Sequence, residues 1–406
     1  MTFPSSMGRF LLGEFMEQER KLFTSESVSE GHPDKVCDQI SDAILDECLK
    51  KDKNSRVACE VFATGNYVLV GGEITTKCPP NYAQIVKNVL KDIGYDRDEL
   101  GTNYNNVIVD VKVKEQSLNI SDAVTNSDFL NIGAGDQGIM FGYATTETSN
   151  YIPLALAISH KLVRVASNLR KEGKFKYARP DMKSQVTIDY TDEKNPRIHT
   201  ILMSVQHEPG FDQEFFKDFI LKSIMIPVAK SFGLNTDFDF LINPSGRFEI
   251  GGPQGDTGLT GRKIIVDTYG GYCEHGGGAF SGKDPTKVDR SAAYYARYIA
   301  KNLVASGIAE KIKIQLSYAI GVPNPLSINV DTYNTSTYSN DLILKIINEL
   351  FDCRPGSIIK QFKLNEPSFS YRSIASYGHF GRNDLNLPWE NLDKVKEIKE
   401  FLKKIN

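Results

Sequence analysis

The sequence has little of what marks a secreted, membrane or nucleic-acid-binding protein. Its six cysteines form no Cys-x-x-Cys pair, so neither a disulfide framework nor a zinc site is indicated. No stretch approaches the roughly 18 apolar residues of a membrane helix, and the first residues lack the basic and then apolar layout of a secretory signal. A formal net charge of −3 provides no general attraction to nucleic acid or anionic lipid. We therefore expect reduced thiols, a cytoplasmic location, and neither nucleic acid nor a membrane as a partner.

The chain is long enough for several hydrophobic cores. Its 406 residues are 40% hydrophobic and 24% charged, a globular composition, and domains of about 100–200 residues predict two to four packed units. Helix and strand patterns recur in three successive α+β blocks, although no literal repeat is visible. We predict an N-terminal tail at 1–21, α+β domains at 22–120, 132–249 and 250–390, and a C-terminal helix or tail at 391–406.

The first block has the clearest secondary-structure signals. Pro33 suits the first position of a helix whose apolar residues recur at helical spacing as far as the lysine cluster at 50–53. Residues 57–76 read as a hairpin that turns at Thr64-Gly65-Asn66. A helix over 82–93 and a strand over 107–113 follow. In the later blocks we predict helices near 152–169, 290–305 and 342–351, and strands near 186–190, 200–206 and 313–320.

Two glycine-rich segments predict anion binding. In residues 243–263, glycines alternate with charged side chains, and the second segment, 276–287, contains three lysine or aspartate residues beside its glycines. Glycine exposes backbone N–H groups to a ligand, while arginine and lysine supply charge to phosphate oxygens. Residues 277–283 match Gly-x-x-x-x-Gly-Lys, but Asp284 stands where a P-loop needs Ser or Thr. A glycine-rich hinge with solvated lysines is the simpler alternative.

Carboxylates and a histidine elsewhere could complete such a site. His32 precedes Asp34 at the start of the predicted first helix, where a histidine is more often a cap or a packing residue. Asp34 and Glu26 offer the hard oxygens that Mg²⁺ prefers. Glu60 and Glu73 lie on apolar β-runs, where a charge needs a cation or a ligand amine unless that face of the strand is solvated.

Three other segments are weaker signals. Residues 133–138 frame Asp136 with glycines, which by itself indicates only a turn. Lys183 stands just before a predicted strand and in isolation reads as a surface lysine. For the aromatic and glycine-rich segment 377–382 we favour a structural role.

The motifs at 31–35, 133–138, 251–256 and 276–287 together closely resemble those of the S-adenosylmethionine synthetase (methionine adenosyltransferase) family, over roughly residues 22–385. The resemblance implies three similar α+β domains with pseudo-threefold symmetry, their sheets packed together and their helices outside. It also implies a dimer with active sites between subunits, or a dimer of dimers. The implied reaction is attack of the sulfur of L-methionine on C5′ of ATP, followed by hydrolysis of the triphosphate to pyrophosphate and phosphate.

The resemblance also implies roles for individual residues. By similarity, the catalytic positions are His32, Lys183, Asp256 and Arg262. The ATP-binding positions are His32, Asp181, Lys183, Ser245, Gly246, Arg247, Phe248, Asp256, Arg262, Lys263, Ala279 and Lys283. The methionine-binding positions are Glu73, Asp122, Asp136, Asp256 and Lys287. Asp34, Glu26 and Asp289 match positions at two Mg²⁺ ions, and Glu60, with Ser281 nearby, matches a K⁺ site.

One departure from the family pattern lies in the expected gating loop. Asp122 stands where a methionine-contacting glutamine is expected, and a carboxylate cannot donate as an amide does. We expect altered methionine affinity or loop kinetics, which an Asp122→Gln variant with unchanged steady-state parameters would refute. Two alternatives to the synthetase remain open at this stage. One is a kinase or polyphosphate hydrolase, and the other is a catalytically silent nucleotide-sensing subunit.

Overall fold

A computed structural model describes residues 20–115 and 128–405. The strands are β1 (Leu22–Val28), β2 (Arg56–Thr64), β3 (Tyr67–Thr75), β4 (Ile108–Lys114), β5 (Gly138–Thr145), β6 (Ala178–Asp189), β7 (Arg197–His207), β8 (Asp239–Ile242), β9 (Gly258–Leu259), β10 (Lys311–Tyr318) and β11 (Ser327–Asp331). The helices are α1 (Pro33–Lys51), α2 (Tyr82–Ile93), α3 (Leu154–Lys171), α4 (Gln213–Ile220), α5 (Ile226–Ser231), α6 (Gly252–Gly255), α7 (Ile264–Asp267), α8 (Val288–Ala305), α9 (Asn340–Leu350), α10 (Pro355–Phe362), α11 (Tyr371–Ile374) and α12 (Val395–Ile405). A π-turn at Leu221–Met225 joins α4 to α5, and short 3-10 turns lie at Asp98–Leu100, Phe129–Asn131 and Pro388–Glu390.

The same order of elements recurs three times. A strand, a long helix and a strand pair follow one another as β1-α1-β2-β3, β5-α3-β6-β7 and β9-α8-β10-β11. Three sheets result, with strand orders β9-β2-β3-β4, β1-β6-β7-β8 and β5-β10-β11. Because the first two sheets have the same order and end on a parallel pair, the threefold α+β architecture is confirmed.

Each sheet receives its first strand from a different block of the chain. β1 pairs with β6, β5 with β10, and β9 with β2, all antiparallel. The first predicted block therefore contributes a strand to the second sheet, the second block to the third, and the third block to the first. This exchange brings the chain around β9 against the beginning of α1.

Helix α1 begins as the sequence predicts. Pro33 occupies its first position, and the side chain of His32 caps the helix by accepting a hydrogen bond from the backbone N–H of Asp34. Two lysines in the last turn, Lys50 and Lys51, suit the negative end of the helix dipole. The hairpin is also confirmed, since Thr64 pairs with Tyr67 across a two-residue turn.

The start of β6 was predicted wrongly. The strand begins at Ala178, so Lys183 lies within it and not before it. A break in register between Ala178 and Met182 lets the strand include Pro180, which cannot donate to a ladder hydrogen bond. Because a proline within a sequence argues against a strand, this first part of β6 was not predicted.

Alternate residues of each sheet pack against the long helices. On β6 these are Met182, Val186 and Ile188, whereas Lys183 on the opposite face is exposed. All six cysteines are free, and five of them are buried. No helix among the described residues is long and apolar enough to cross a membrane.

Candidate functional site

The first candidate group surrounds the N-terminus of α1. His32 is only 2% exposed, and its Nδ1 lies 3.2 Å from the backbone nitrogen of Asp34. Burial and the neighbouring Lys263 lower the pKa of His32 to about 3. Since Nδ1 accepts a hydrogen bond, the proton of the neutral ring lies on Nε2. His32 is therefore a neutral hydrogen-bond donor at ordinary pH.

Asp34 joins α1 to the loop that follows β9. Its Oδ1 accepts from the backbone N–H of Leu259 at 3.0 Å, and its Oδ2 accepts from Lys263 Nζ at 2.7 Å. Burial alone would raise the pKa of Asp34, but these two hydrogen bonds outweigh it and hold the pKa below its ordinary value. A carboxylate at this position therefore stays ionised beside a lysine.

Strand β6 contributes Asp181 and Lys183 to the same region. Asp181 Oδ2 accepts from the backbone N–H of Gly252 at 2.8 Å, while the buried Oδ1 has no partner among the residues that the structure describes. Burial raises the pKa of Asp181 to about 6. Lys183 is exposed, and its charge helps to lower the pKa of His32. We call His32, Asp34, Asp181, Lys183 and Lys263 the α1 group.

Other predicted residues border the α1 group. Asp256 is exposed and its charge acts on Asp181, while Arg262 is exposed with no ion-pair partner among the described residues. Glu26 is exposed on β1 opposite Gln185, so it is a diagonal neighbour of Lys183 on the same sheet face. Among the predicted ATP-binding residues of the loop after β8, Ser245, Gly246 and Arg247 are exposed, and Phe248 is half-buried and hydrogen-bonded to His207.

A second group lies in the loop before α8. Lys283 Nζ is 2.5 Å from Asp289 Oδ2, and Lys287 Nζ is 2.5 Å from Asp284 Oδ2. Asp284 is fully buried, and burial would raise its pKa, but Lys287 and Arg56 hold it below its ordinary value. We call Lys283, Asp284, Lys287 and Asp289 the α8 group.

The hinge interpretation of the second glycine segment fits this geometry only in part. The lysines are ion-paired and half-buried, not solvated. Asp284 accepts hydrogen bonds from the backbone N–H groups of Val57 and Thr286. The Asp284 carboxylate therefore stands inside the loop where a P-loop would hold phosphate, so the segment is not a P-loop.

The remaining predicted residues are more scattered. Ser281 is buried, and its hydroxyl has no partner in the described part of the chain. The adjoining Gly282 carbonyl accepts from the backbone N–H of Cys59, next to Glu60. Glu60 is exposed. Ala279 is half-buried beside Gly261, and Asp136 is exposed on its turn.

Glu73 already has a partner within the chain. Its carboxylate lies 3.1 Å from Lys114 Nζ, and both side chains are partly exposed. Asp122 falls outside the described residues. No ion pair joins the α1 group to the α8 group within the described parts of the chain.

Sequence analysis missed a row of acids behind these loops. Asp38 and Asp42 follow Asp34 at intervals of four residues on α1, and both are fully buried. Asp38 accepts from the backbone N–H of Gly261, and Asp42 accepts from the backbone N–H of Gly282 and from Arg290. The four-residue spacing is visible in the sequence, but charged residues at helical spacing usually face solvent.

Together, the fold and the site define an enzyme class. Two glycine-rich loops, with lysine and arginine beside ionised carboxylates and a neutral histidine donor, are suited to a phosphorylated substrate with a metal ion. Comparison with known families and proteins then identifies which enzymes of this class the chain resembles.

Sequence models of S-adenosylmethionine synthetase match the chain along almost its whole length. The N-terminal, central and C-terminal domain models match residues 20–118, 131–248 and 250–391. An S-adenosylmethionine synthase of Mesoplasma florum is 63% identical over 94% of this chain and 100% of its own. The chain belongs to the S-adenosylmethionine synthetase family.

More distant relatives agree. S-adenosylmethionine synthases of Mycoplasma mycoides subsp. mycoides and Clostridium tetani are 60% and 53% identical, and cover 95% and 94% of this chain and 98% and 100% of their own.

Proposed function

We propose that the chain makes S-adenosylmethionine by attack of the methionine sulfur on C5′ of ATP. The sulfur–C5′ bond forms as the C5′–oxygen bond breaks, the triphosphate leaves with the bonding electrons, and water then cleaves it to pyrophosphate and phosphate. The observation that supports this reaction best is the combination of a neutral histidine with nearby lysines and an arginine. Family membership supports the overall conversion, which makes the chain a methionine adenosyltransferase.

The chemistry of the α1 group suits this displacement. A thioether sulfur has no proton to lose, so the reaction needs no general base, and the barrier falls through positioning and through stabilisation of the departing charge. We assign that stabilisation to Lys183, Arg262 and Lys263. Neutral His32 would donate its Nε2 proton as a hydrogen bond to the oxygen that leaves C5′.

Asp181 is suited to bind the nucleoside part of ATP. Its buried Oδ1 lacks a donor within residues 20–115 and 128–405, and the ribose hydroxyls or the adenine amino group could supply one. Ser245, Gly246, Arg247 and Phe248 would complete the nucleotide contacts from the loop after β8. Ala279 and Lys283 would add contacts from the loop before α8.

For methionine we propose contacts of opposite charge. Its ammonium group would meet Asp256 and Asp136, and its carboxylate would meet Lys287, which must then exchange its ion pair with Asp284 for one with the substrate. Glu73 and Asp122 remain further candidates, and Glu73 must first release Lys114.

As a member of this family the chain is a nucleotide-binding, metal-dependent enzyme. Among the described residues no three His, Cys, Asp or Glu side chains converge on one point. A site with only one or two carboxylates still fits Mg²⁺, because this ion completes its shell with substrate phosphates and water. We propose Asp34, Glu26 and Asp289 as its ligands and Glu60 as a K⁺ ligand. The metal would neutralise triphosphate charge.

We also propose that the chain acts as a dimer or a dimer of dimers. The α1 and α8 groups both contain residues assigned to ATP, yet no ion pair joins them within the described chain. Apolar residues such as Ile139, Phe240 and Leu241 are exposed on the strands, which suits burial against a second copy. Two subunits could therefore combine the α1 group of one with the α8 group of the other.

A P-loop kinase and a catalytically silent subunit are less well supported. A P-loop kinase would hold Mg²⁺ through a Ser or Thr at position 284, where this chain has a buried aspartate. A silent sensing subunit would be expected to lack some of His32, Asp34, Lys183 and Arg262, all of which are present.

Product analysis tests the proposed function. The protein is incubated with ATP, Mg²⁺ and K⁺, with and without methionine, and the products are identified by mass spectrometry. We expect S-adenosylmethionine, pyrophosphate and phosphate only when methionine is present. Phosphate release without a sulfonium product would indicate a phosphohydrolase instead.

A further inference from the structure

Four aspartates form a row along one side of α1. Asp34, Asp38, Asp42 and Asp46 are spaced four residues apart, so they lie one above another on the helix. Each accepts at least one backbone N–H from a part of the chain far from α1 in sequence. The donors are Leu259, Gly261, Gly282, and the pair Tyr371 and Arg372, respectively. We call these four residues the aspartate row.

Asp38 contacts the loop after β9 at Gly261, where the loop turns. Its Oδ1 accepts from the Gly261 N–H at 2.8 Å, and its Oδ2 accepts from Lys35 Nζ at 3.0 Å. Both oxygens are therefore used, and Asp38 and Lys35 are fully buried. Lys35 is fixed in turn by a second ion pair with Asp267.

Gly261 occupies a position that only glycine suits. Its φ of +78° is in the left-handed region that favours glycine, and a side chain there would collide with Ala279. The residues that follow it are Arg262 and Lys263. The orientation of the peptide at Gly261 therefore sets the direction from which both cations leave the backbone.

We propose that Asp38 is a positioning residue of the adenosyl transfer, acting through the Gly261 N–H to aim Arg262 and Lys263 at the triphosphate. Asp38 does not itself contact substrate. This inference rests on the proposed function, because it takes from it the roles of Arg262 and Lys263. It adds that their placement depends on a buried carboxylate that no motif includes.

Asp46 provides a matched control on the same helix. It too uses both oxygens, accepting from the backbone N–H of Tyr371 at 2.8 Å and of Arg372 at 3.0 Å and from the Ser370 hydroxyl. The segment that it fixes contains none of the residues assigned to the reaction. Asparagine has a single acceptor oxygen, so Asp38→Asn and Asp46→Asn each remove one acceptor and the carboxylate charge, and Asp38→Asn also removes the ion pair with Lys35.

The experiment compares the two variants with the wild-type protein in its full length. Steady-state S-adenosylmethionine formation gives kcat per folded protein and the KM values for ATP and methionine. Thermal unfolding gives the folded fraction. Hydrolysis of added tripolyphosphate is measured separately. We expect Asp38→Asn to lower kcat between about tenfold and a hundredfold, since misplacement by about 1 Å has effects of that size. The KM for methionine should change less than about twofold, and tripolyphosphate hydrolysis should fall with kcat.

Asp46→Asn should lower the melting temperature and leave kcat within about twofold of wild type. If Asp38→Asn keeps its kcat, or if both variants lose kcat to the same extent, Asp38 has no positioning role. Should Asp38→Asn fail to fold, Asp38→Glu takes its place. That variant keeps the charge and both acceptors but displaces them by one carbon–carbon bond, and an unchanged kcat would equally overturn the inference.

The wild-type protein in the same assay separates the two conclusions. If it forms no S-adenosylmethionine, the proposed function fails. If it does, and Asp38→Asn is indistinguishable from it, the proposed function stands and only the positioning role is overturned.

Discussion

The α1 and α8 groups contain similar residues but differ in how far the chain satisfies them. In the α1 group, Asp181 has a buried oxygen without a donor, and Lys183 has no ion-pair partner among the described residues. In the α8 group each lysine already has its own carboxylate, at 2.5 Å in both cases. Asp181 and Lys183 of the first group therefore have unused capacity for a ligand, whereas Lys263 and Asp34 are paired with each other, and a ligand can engage the second group only by replacing an ion pair.

This difference has a physical origin in the fold. The α1 group forms where β1, β6 and the loop after β9 meet, so its members come from distant parts of the chain and are held by the aspartate row. The α8 group comes from seven consecutive residues, 283–289, and its acids and lysines are close enough in sequence to pair locally.

The largest effect is expected at Asp34. Asp34→Asn keeps an acceptor for the Leu259 N–H but removes the charge that faces Lys263 and, in our proposal, Mg²⁺. We expect kcat to fall about a thousandfold, equivalent to about 4 kcal/mol. The melting temperature should change by only a few degrees, which separates chemistry from folding. Normal turnover in this variant would remove Asp34 from the proposed metal ligands.

The next largest effect is expected at Arg262, the exposed cation beside the α1 group. Arg262→Ala removes a cation that stabilises the departing triphosphate and should lower kcat about a hundredfold. Arg262→Lys restores a positive charge and should recover part of that loss. Arg197→Ala is a suitable control, since Arg197 forms an exposed pair with Asp237. Equal kinetics for Arg262→Ala and the control would contradict the assignment.

Sequence reasoning anticipated the local structure of the molecule better than its long-range pairing. It predicted α1, its proline start and the first hairpin, because each depends on neighbouring residues. It missed β1, whose sequence Leu-Phe-Thr-Ser-Glu-Ser-Val has little hydrophobic alternation, because most of this strand's stability comes from pairing with β6. The exchange of strands between blocks has no local signal at all.

The same distinction applies to the site. Motifs revealed His32, Asp34 and the glycine loops, since their chemistry is visible in short segments. Asp38 was missed because its significance depends on Gly261, 223 residues further along the chain. A row of aspartates on a helix resembles a solvated face until the loops that cover it are known.

A smaller effect, on stability, should follow from Asp181. Burial raises the pKa of this group in the folded protein to about 6 from an ordinary value near 4. Between these values the folded protein retains a proton that the unfolded chain has released, so the free energy of unfolding falls as pH rises from 4 to 6 and stays low above 6. Asp181→Asn removes this destabilisation, and we expect a gain of about 2 kcal/mol at pH 7.5 and little at pH 4.5.

The same substitution should weaken the site that it stabilises. In our proposal the unpaired oxygen of Asp181 binds the nucleoside, so Asp181→Asn should raise the KM for ATP as it raises the melting temperature. Thermal unfolding at the two pH values and steady-state kinetics measure both effects. A variant that is no more stable at pH 7.5 than the wild type would show that burial of the charged Asp181 carboxylate does not destabilise the folded protein.

The smallest effect on stability is expected where the chain has satisfied its own charges. Lys287→Met leaves the fully buried Asp284 without its ion pair but with its hydrogen bonds from Val57 and Thr286, and we expect a loss of about 1–2 kcal/mol. Lys283→Met leaves only the partly exposed Asp289 and should have a smaller effect.

The pH dependence of stability tests whether the ion pair of Lys287 with Asp284 causes the loss in Lys287→Met. Because the pKa of Asp284 is lowered in the folded protein, its stabilisation is complete above the unfolded pKa of about 4 and is lost as pH falls through the lower folded value. The stability gap between wild type and Lys287→Met should therefore be constant from pH 5 to 8 and narrow only below pH 4, as urea unfolding at each pH can measure. A gap that stays unchanged at pH 3 would mean that the packing of the lysine stem, and not the ion pair, accounts for it.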